Sequence, residues 1–168
     1  NRTMSIPKHV FRQYDIRGIV GKDLDEGLAR SVGRAFASDL IESRDSDEPP
    51  TVVVGGDNRD TTPGLKEALE EGLMGSGARV VDIGIVPTPV LYWAEVTLGA
   101  DAGMQVTGSH NPSEWNGIKI TVGKSALYGD AIEDLRLRIE RGHLHRGDGS
   151  REEVEGILDR YVEDVAGR

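Results

Sequence analysis

Cysteine is absent from the 168 residues, which excludes disulfides and thiol catalysis and makes a reducing, cytoplasmic setting the default expectation. No apolar run approaches the ~20 residues of a membrane-spanning helix, so no membrane partner is expected. The opening stretch NRTMSIPKHVF lacks the apolar segment of a secretory leader. Positive charge is scarce: 20 Lys and Arg stand against 29 Asp and Glu, for a formal net charge of −9. Nucleic acid, whose backbone seeks basic surface, is therefore not expected as a partner. A small anion remains admissible, because a local basic pocket can sit on an acidic protein. The sequence also has no G-x-S-x-G elbow, which argues against a serine hydrolase, and no internal repeat.

What is present alternates. Hydrophobic residues make up 37% and charged residues 29%, a balance that suits one globular domain with its own core. Residues 25–42 carry Leu28, Val32, Ala35, Phe36 and Leu40 at helical spacing. TVVVGG (51–56), ARVVDIG (78–84), AGMQVTG (102–108) and GIKITVG (117–123) read as four core strands. Between them lie two helices, for which Thr62 and Thr88 are the expected N-caps, with Pro63 and Pro89 in the first turns. The second of these helices carries Leu91, Tyr92 and Val96. Strands separated by helices predict βαβ units and a parallel sheet. The link between the last two strands is too short for a helical crossover, so they should pair antiparallel. The expected fold is an α/β layered sandwich: a four-stranded mixed sheet, last strand antiparallel, covered by helices. A further helix is expected over 130–141. Residues 1–141 form the α/β domain, 142–150 a Gly-rich linker, and 151–168 a C-terminal helix with Val154, Ile157, Leu158, Tyr161, Val162 and Val165 on one apolar stripe. Such a stripe must be covered, and self-association through 151–166 is one route.

The chemistry concentrates in MQVTGSHNPSEWNGIKI (104–120). Ser109 falls just beyond the carboxyl end of a strand, where open α/β sheets bind ligands. Gly108 permits a tight backbone path and Asn111-Pro112 forces a turn. Lys119 lies on the returning strand, on the face opposite Ile118 and Ile120, from which its ammonium can come back toward Ser109. A serine is a poor nucleophile alone, but a lysine and His110 nearby can neutralise a phosphate or move a proton. From these residues alone the alternative stays open: a turn serine that caps backbone groups, beside a structural histidine and a solvated lysine.

GMQVTGSHNP followed by NGIK resembles the phosphoserine signature of the α-D-phosphohexomutases. FRQYDIRGIVG (11–21) is similar to that family's first conserved loop, and GGDNRDTTP (55–63) and VPTP (86–89) are further matches in the same order. YDIRG and VTGSHNP resemble the phosphomannomutase/phosphoglucomutase branch; the phosphoglucosamine mutase branch more typically reads TDGIRG and SASHNP. The resemblance implies the phosphoserine-bearing domain I of an enzyme that interconverts hexose 1-phosphate and 6-phosphate through a hexose 1,6-bisphosphate. It implies that Ser109 carries the phosphoryl group and ligates one Mg²⁺ only through that phosphate. It implies catalytic roles for Lys119 (proton transfer), His110 (hydrogen bonding beside the serine) and Arg17 (facing the reacting phosphate). Tyr14, Arg17, Asn111 and Lys119 stand as substrate-binding residues, with Asn111 also holding the loop. Tyr14 packing on the sheet end and Arg17 in a surface ion pair are the plainer alternatives. For Arg59 the favoured expectation is a structural arginine that binds loop carbonyls; Trp115 receives no role.

The family's Asp-x-Asp-x-Asp-Arg metal loop, its Gly-Glu-x-Ser sugar loop and its C-terminal phosphate loop do not occur in these residues. The expectation is an N-terminal domain that is inactive alone, whose partners are a phosphorylated hexose and the remaining three domains of a parent chain. A phosphoglucosamine mutase, or an anion-binding domain without turnover, are the alternatives.

Overall fold

Short Val-rich runs bounded by glycine form the centre of the sheet. Residues 6–123 and 125–168 are described by a computed structural model. Strands β2 (Thr51–Gly56), β3 (Arg79–Ile85) and β4 (Ala102–Val106) run parallel, β2 in the middle, linked by α2 (Thr62–Gly75) and α3 (Thr88–Thr97). β4 returns directly as β5 (Trp115–Val122), antiparallel as the short link requires, with Val106 opposite Ile118 and Gln105 opposite Lys119. β1 (Ile16–Ile19) pairs antiparallel with β5, β6 (Ser125–Ala126) pairs with the end of β5, and β7 (Ser150–Glu153) lies parallel on β3. The seven-stranded order is β1-β5-β4-β2-β3-β7, with β6 beside β5.

Period-two alternation sends successive strand residues to opposite faces. Val52, Val54, Met104, Ile118 and Ile120 join the larger core under α1 (Glu26–Ser43), α2 and α4 (Asp130–Arg141). Val53, Val81 and Ile83 join a smaller core under α3 and α5 (Ile157–Ala166). Helices thus cover both faces, as the layered α/β reading expects. The Asp25 carboxylate accepts the Leu28 N–H at 2.8 Å and starts α1. α1 and α2 meet at glycine: a Cβ on Gly33 would lie 2.3 Å from the Leu69 carbonyl oxygen, so only hydrogen fits the crossing.

The sequence reading needs three corrections. The sheet has seven strands, not four: the expected four are present, and β1, β6 and β7 extend them. Residues 150–153, expected as the end of a linker and the start of a helix, are strand; α5 begins at Ile157 and Val154 precedes it. Thr62 and Thr88 are first helical residues, not caps; the caps are Thr61 and Pro87, without side-chain cap bonds. α3 carries Leu91, Tyr92 and Val96 as expected; it buries Val90, Leu91, Ala94 and Glu95, while Tyr92 and Val96 are exposed. No helix among the described residues is long and apolar enough to cross a membrane.

Candidate active site

The β4–β5 loop departs from the carboxyl edge of the parallel strands, as the topology dictates. At its start Ser109 has φ +53°, the only positive value of any non-glycine residue described. Serine pays a steric penalty in this left-handed region. Local hydrogen bonds hold it there: Ser109 N–H donates to Thr107 Oγ1 at 3.1 Å, and the Asn111 N–H and Nδ2 both donate to the Gly108 carbonyl, at 3.0 and 2.9 Å. The Ser109 hydroxyl and the His110 ring are exposed and bond to no described residue. Asn111 holds the loop as expected.

Beneath the loop lies Arg59, from the β2–α2 connection. Its Nη1 donates to the carbonyls of Pro112 (2.6 Å) and Trp115 (3.0 Å), and its Nη2 to those of Ser109 (3.1 Å) and Asn111 (2.7 Å). The favoured reading of Arg59 as a binder of loop carbonyls is what the structure contains. Asp57 sits beside it: Oδ2 accepts the Gly108 N–H at 2.9 Å and lies 3.3 Å from Arg59 Nε, and Oδ1 accepts the Arg59 N–H and the Thr62 hydroxyl. Burial alone would raise the Asp57 carboxyl, but bonds from Thr62 and from the Gly108 and Arg59 amides outweigh it and hold the group below its ordinary value. Buried Asn116 donates to the Thr61 and Thr62 hydroxyls and ties the start of β5 to the same corner.

β1 brings in the second motif. Register sets Arg17 opposite Gly117, on the sheet face that also carries Lys119, Gln105 and Thr121. Arg17 Nη1 reaches Asn111 Oδ1 at 3.5 Å, so the arginine and the serine loop are brought together. Its Nε is buried in an ion pair with Asp15 Oδ1 at 3.6 Å, as the plainer expectation for Arg17 had it, although neither atom makes a hydrogen bond. An arginine with spare donors at a loop edge can turn them to an anion. Lys119 is half-buried opposite Gln105 and joined to Ser109 by no hydrogen bond. Tyr14 is 69% exposed and pairs with Tyr128 at a ring distance of 6.5 Å, in the turn that precedes β1. The plainer expectation that Tyr14 packs on the sheet end is not met.

Two contributors lie inside the quoted motifs but received no role from the sequence. Arg12 lies 5.3 Å from the centre of the Trp115 ring and so gives that tryptophan a role in joining the two motifs. Asp57 stands in GGDNRDTTP, two residues before Arg59, and its bonds to both the arginine and the serine loop are seen only in the structure. Among the described residues no group of three or more His, Asp and Glu could hold a metal ion. Asp57 has both oxygens committed to hydrogen-bond donors of the loop and its own connection.

Comparison with known proteins identifies the family. The model for the phosphoglucomutase/phosphomannomutase α/β/α domain I matches residues 8–142. The phosphomannomutase/phosphoglucomutase of Pseudomonas aeruginosa is 43% identical over 161 residues, 96% of this chain and 34% of its own length. The phosphomannomutase of Vibrio cholerae is 46% identical over 136 residues, 80% of this chain and 29% of its own. The crystal structure of a phosphoglucomutase/phosphomannomutase family protein from Burkholderia thailandensis superposes with a TM-score of 0.88 at 42% identity, covering 97% of this chain and 36% of that one. The chain thus spans about a third of the length of the curated relatives it matches.

Proposed function

Because the chain belongs to the phosphoglucomutase/phosphomannomutase family, as its α/β/α domain I, we propose that Ser109 is the phosphoryl carrier of a mutase interconverting hexose 1-phosphate and 6-phosphate. The observation that carries this reading is Ser109 itself: a free hydroxyl on a left-handed residue, in a loop whose carbonyls turn away onto Arg59. In the transfer, the free hydroxyl oxygen of a hexose monophosphate forms a bond to phosphorus as the Ser109 Oγ–P bond breaks. The sugar's proton leaves to a base, and the serine oxygen takes one up. The resulting 1,6-bisphosphate turns end for end and returns its other phosphoryl group to Ser109, so none is consumed.

Arg17 supports this reading with a fixed positive charge that reaches the serine loop through Asn111 and has donors to spare. Lys119 supplies the proton-carrying ammonium on the same sheet face, and His110 and Tyr14 are exposed for contact with the sugar phosphate. A Mg²⁺ ion, when bound, neutralises charge on the transferring group; phosphorylated Ser109 would offer it one oxygen, and other domains of the parent chain the remaining ligands. Those domains would also choose the sugar, so the 168 residues alone should show no measurable turnover.

The test is phosphomannomutase and phosphoglucomutase turnover by the full-length parent. Ser109→Ala should abolish most of it, since the covalent carrier is gone. Arg17→Ala and Lys119→Met should slow it by about 10²–10³-fold, the usual effect of removing one preorganised charge. Near-normal turnover by Ser109→Ala would sink the phosphoserine reading, and robust turnover by these residues alone would show that the other domains supply less than proposed.

A further inference from the structure

We infer that Arg59 is a positioning residue for phosphoryl transfer: it sets the conformation of Ser109 from behind the loop without touching the substrate. This deepens the phosphoserine reading and rests on it. A guanidinium has five N–H donors in a fixed plane. Here the four on Nη1 and Nη2 are spent on the carbonyls of Pro112, Trp115, Ser109 and Asn111, and Nε lies against Asp57. No donor remains for an anion, which separates Arg59 from Arg17, whose guanidinium makes only one long hydrogen bond, from Nη1 to Asn111 Oδ1 at 3.5 Å.

Three further observations fit a built clamp. A Cβ on Gly108 would stand 2.1 Å from Arg59 Cζ, so glycine before the serine is demanded by the arginine's approach. Asp57 fixes both partners, accepting the Gly108 amide with one oxygen and the Arg59 amide with the other. The Ser109 carbonyl is itself one of the four clamped, and Ser109 is the residue with the left-handed backbone. The consequence is electrostatic as well as steric. Four carbonyl dipoles that would repel a phosphate are engaged by Arg59, while Ser109 and His110 are exposed.

A lysine at 59 keeps the charge but cannot span four carbonyls in one plane. In the full-length parent, Arg59→Lys should therefore lower kcat by about 10²-fold, the effect of misplacing a reacting group by roughly 1 Å, and leave KM for the hexose phosphate unchanged. Gly108→Ala should give the same split with the arginine intact, because it pushes the guanidinium off the loop. In Arg59→Ala, added guanidinium ion should restore kcat saturably where ammonium does not. Thermal unfolding establishes that each variant is folded before kinetics. Unchanged kcat in both Arg59→Lys and Gly108→Ala, with Ser109→Ala inactive, would overturn the clamp and leave the phosphoserine reading standing. A raised KM with unchanged kcat would make Arg59 a substrate ligand and equally overturn it. If Ser109→Ala keeps its turnover, the reading fails first and the clamp with it.

Discussion

Glu70 of α2 and Asp82 of β3 meet inside the protein, both held by Arg151 of β7. Glu70 Oε1 accepts Arg151 Nε at 2.9 Å, while Oε2 is buried without a donor. Lys66 Nζ lies 3.9 Å from that oxygen. Burial, then the bond to Asp82, pushes the Glu70 carboxyl up to about 8. Burial would raise Asp82 too, but bonds from Glu70, Lys66 and the Gly84 amide bring it down to about 2. Lys66 and Arg151 face the pair from α2 and β7, and Glu153 backs Arg151 at 3.0 Å.

Stability should therefore depend on pH in two opposed windows. Between its ordinary 4.5 and about 8, folded Glu70 holds a proton that the unfolded chain has lost, so stability falls as pH rises. Between about 2 and the ordinary 3.8, unfolded Asp82 holds a proton that the folded state lacks, so stability rises with pH. Urea unfolding from about pH 5 to pH 8 should show the decline, and Glu70→Gln should flatten it, because an amide cannot titrate. An equal slope in the variant would place the titration elsewhere.

The same network explains what the sequence concealed. β7 is Ser150, Arg151, Glu152 and Glu153, with every side chain exposed, so no alternation of apolar residues announced a strand. Its place on β3 depends on Arg151 reaching Glu70 and Asp82, a contact between distant residues that periodicity cannot report. β1 was hidden for a related reason: Ile16-Arg17-Gly18-Ile19 is a four-residue edge strand, half of it polar or glycine. By contrast α4 was legible to its bounds, since Ile132, Leu135 and Ile139 recur at helical spacing and Gly142 ends it in the left-handed conformation. In the site, the motif residues Ser109, Asn111 and Arg17 were legible. The stacking of Arg12 on Trp115 and the sign of φ at Ser109 were not, because neither leaves a local pattern.

The C-terminal stripe divides into two faces. Ile157, Tyr161 and Asp164 turn to α3: Ile157 is buried, the Tyr161 ring stands edge-on to Trp93 at 5.7 Å, and Trp93 Nε1 donates to Asp164 at 2.9 Å. Leu158, Val162 and Val165 have the same spacing one residue further round, and are 44%, 55% and 51% exposed. Ile157→Ala should cost about 2 kcal/mol in urea unfolding, at the low end for a buried isoleucine because it lies at a helix end. Val162→Lys should cost almost nothing in stability and should remove any concentration-dependent association of the 168 residues in sedimentation velocity. A sedimentation coefficient independent of concentration in the unsubstituted chain would exclude this face as a self-association surface.

The left-handed backbone of Ser109 makes a prediction that needs no other domain. At φ +53° a Cβ crowds the following carbonyl, at a cost of about 1–2 kcal/mol that glycine escapes. Glycine gives some of this back through the greater freedom of its unfolded chain, about 0.4–1 kcal/mol. Ser109→Gly should therefore be more stable than Ser109→Ala by about 1 kcal/mol, and Ser109→Val, branched at Cβ, should be the least stable of the three. Urea unfolding of the 168-residue chain ranks them directly. If valine proves as stable as glycine, the residue is not left-handed in solution, and the clamp by Arg59 has nothing to hold. If the order is as expected, a side chain that opposes stability is kept where glycine would fold better. The property serine has and glycine lacks is the hydroxyl, which is the atom the proposed transfer requires.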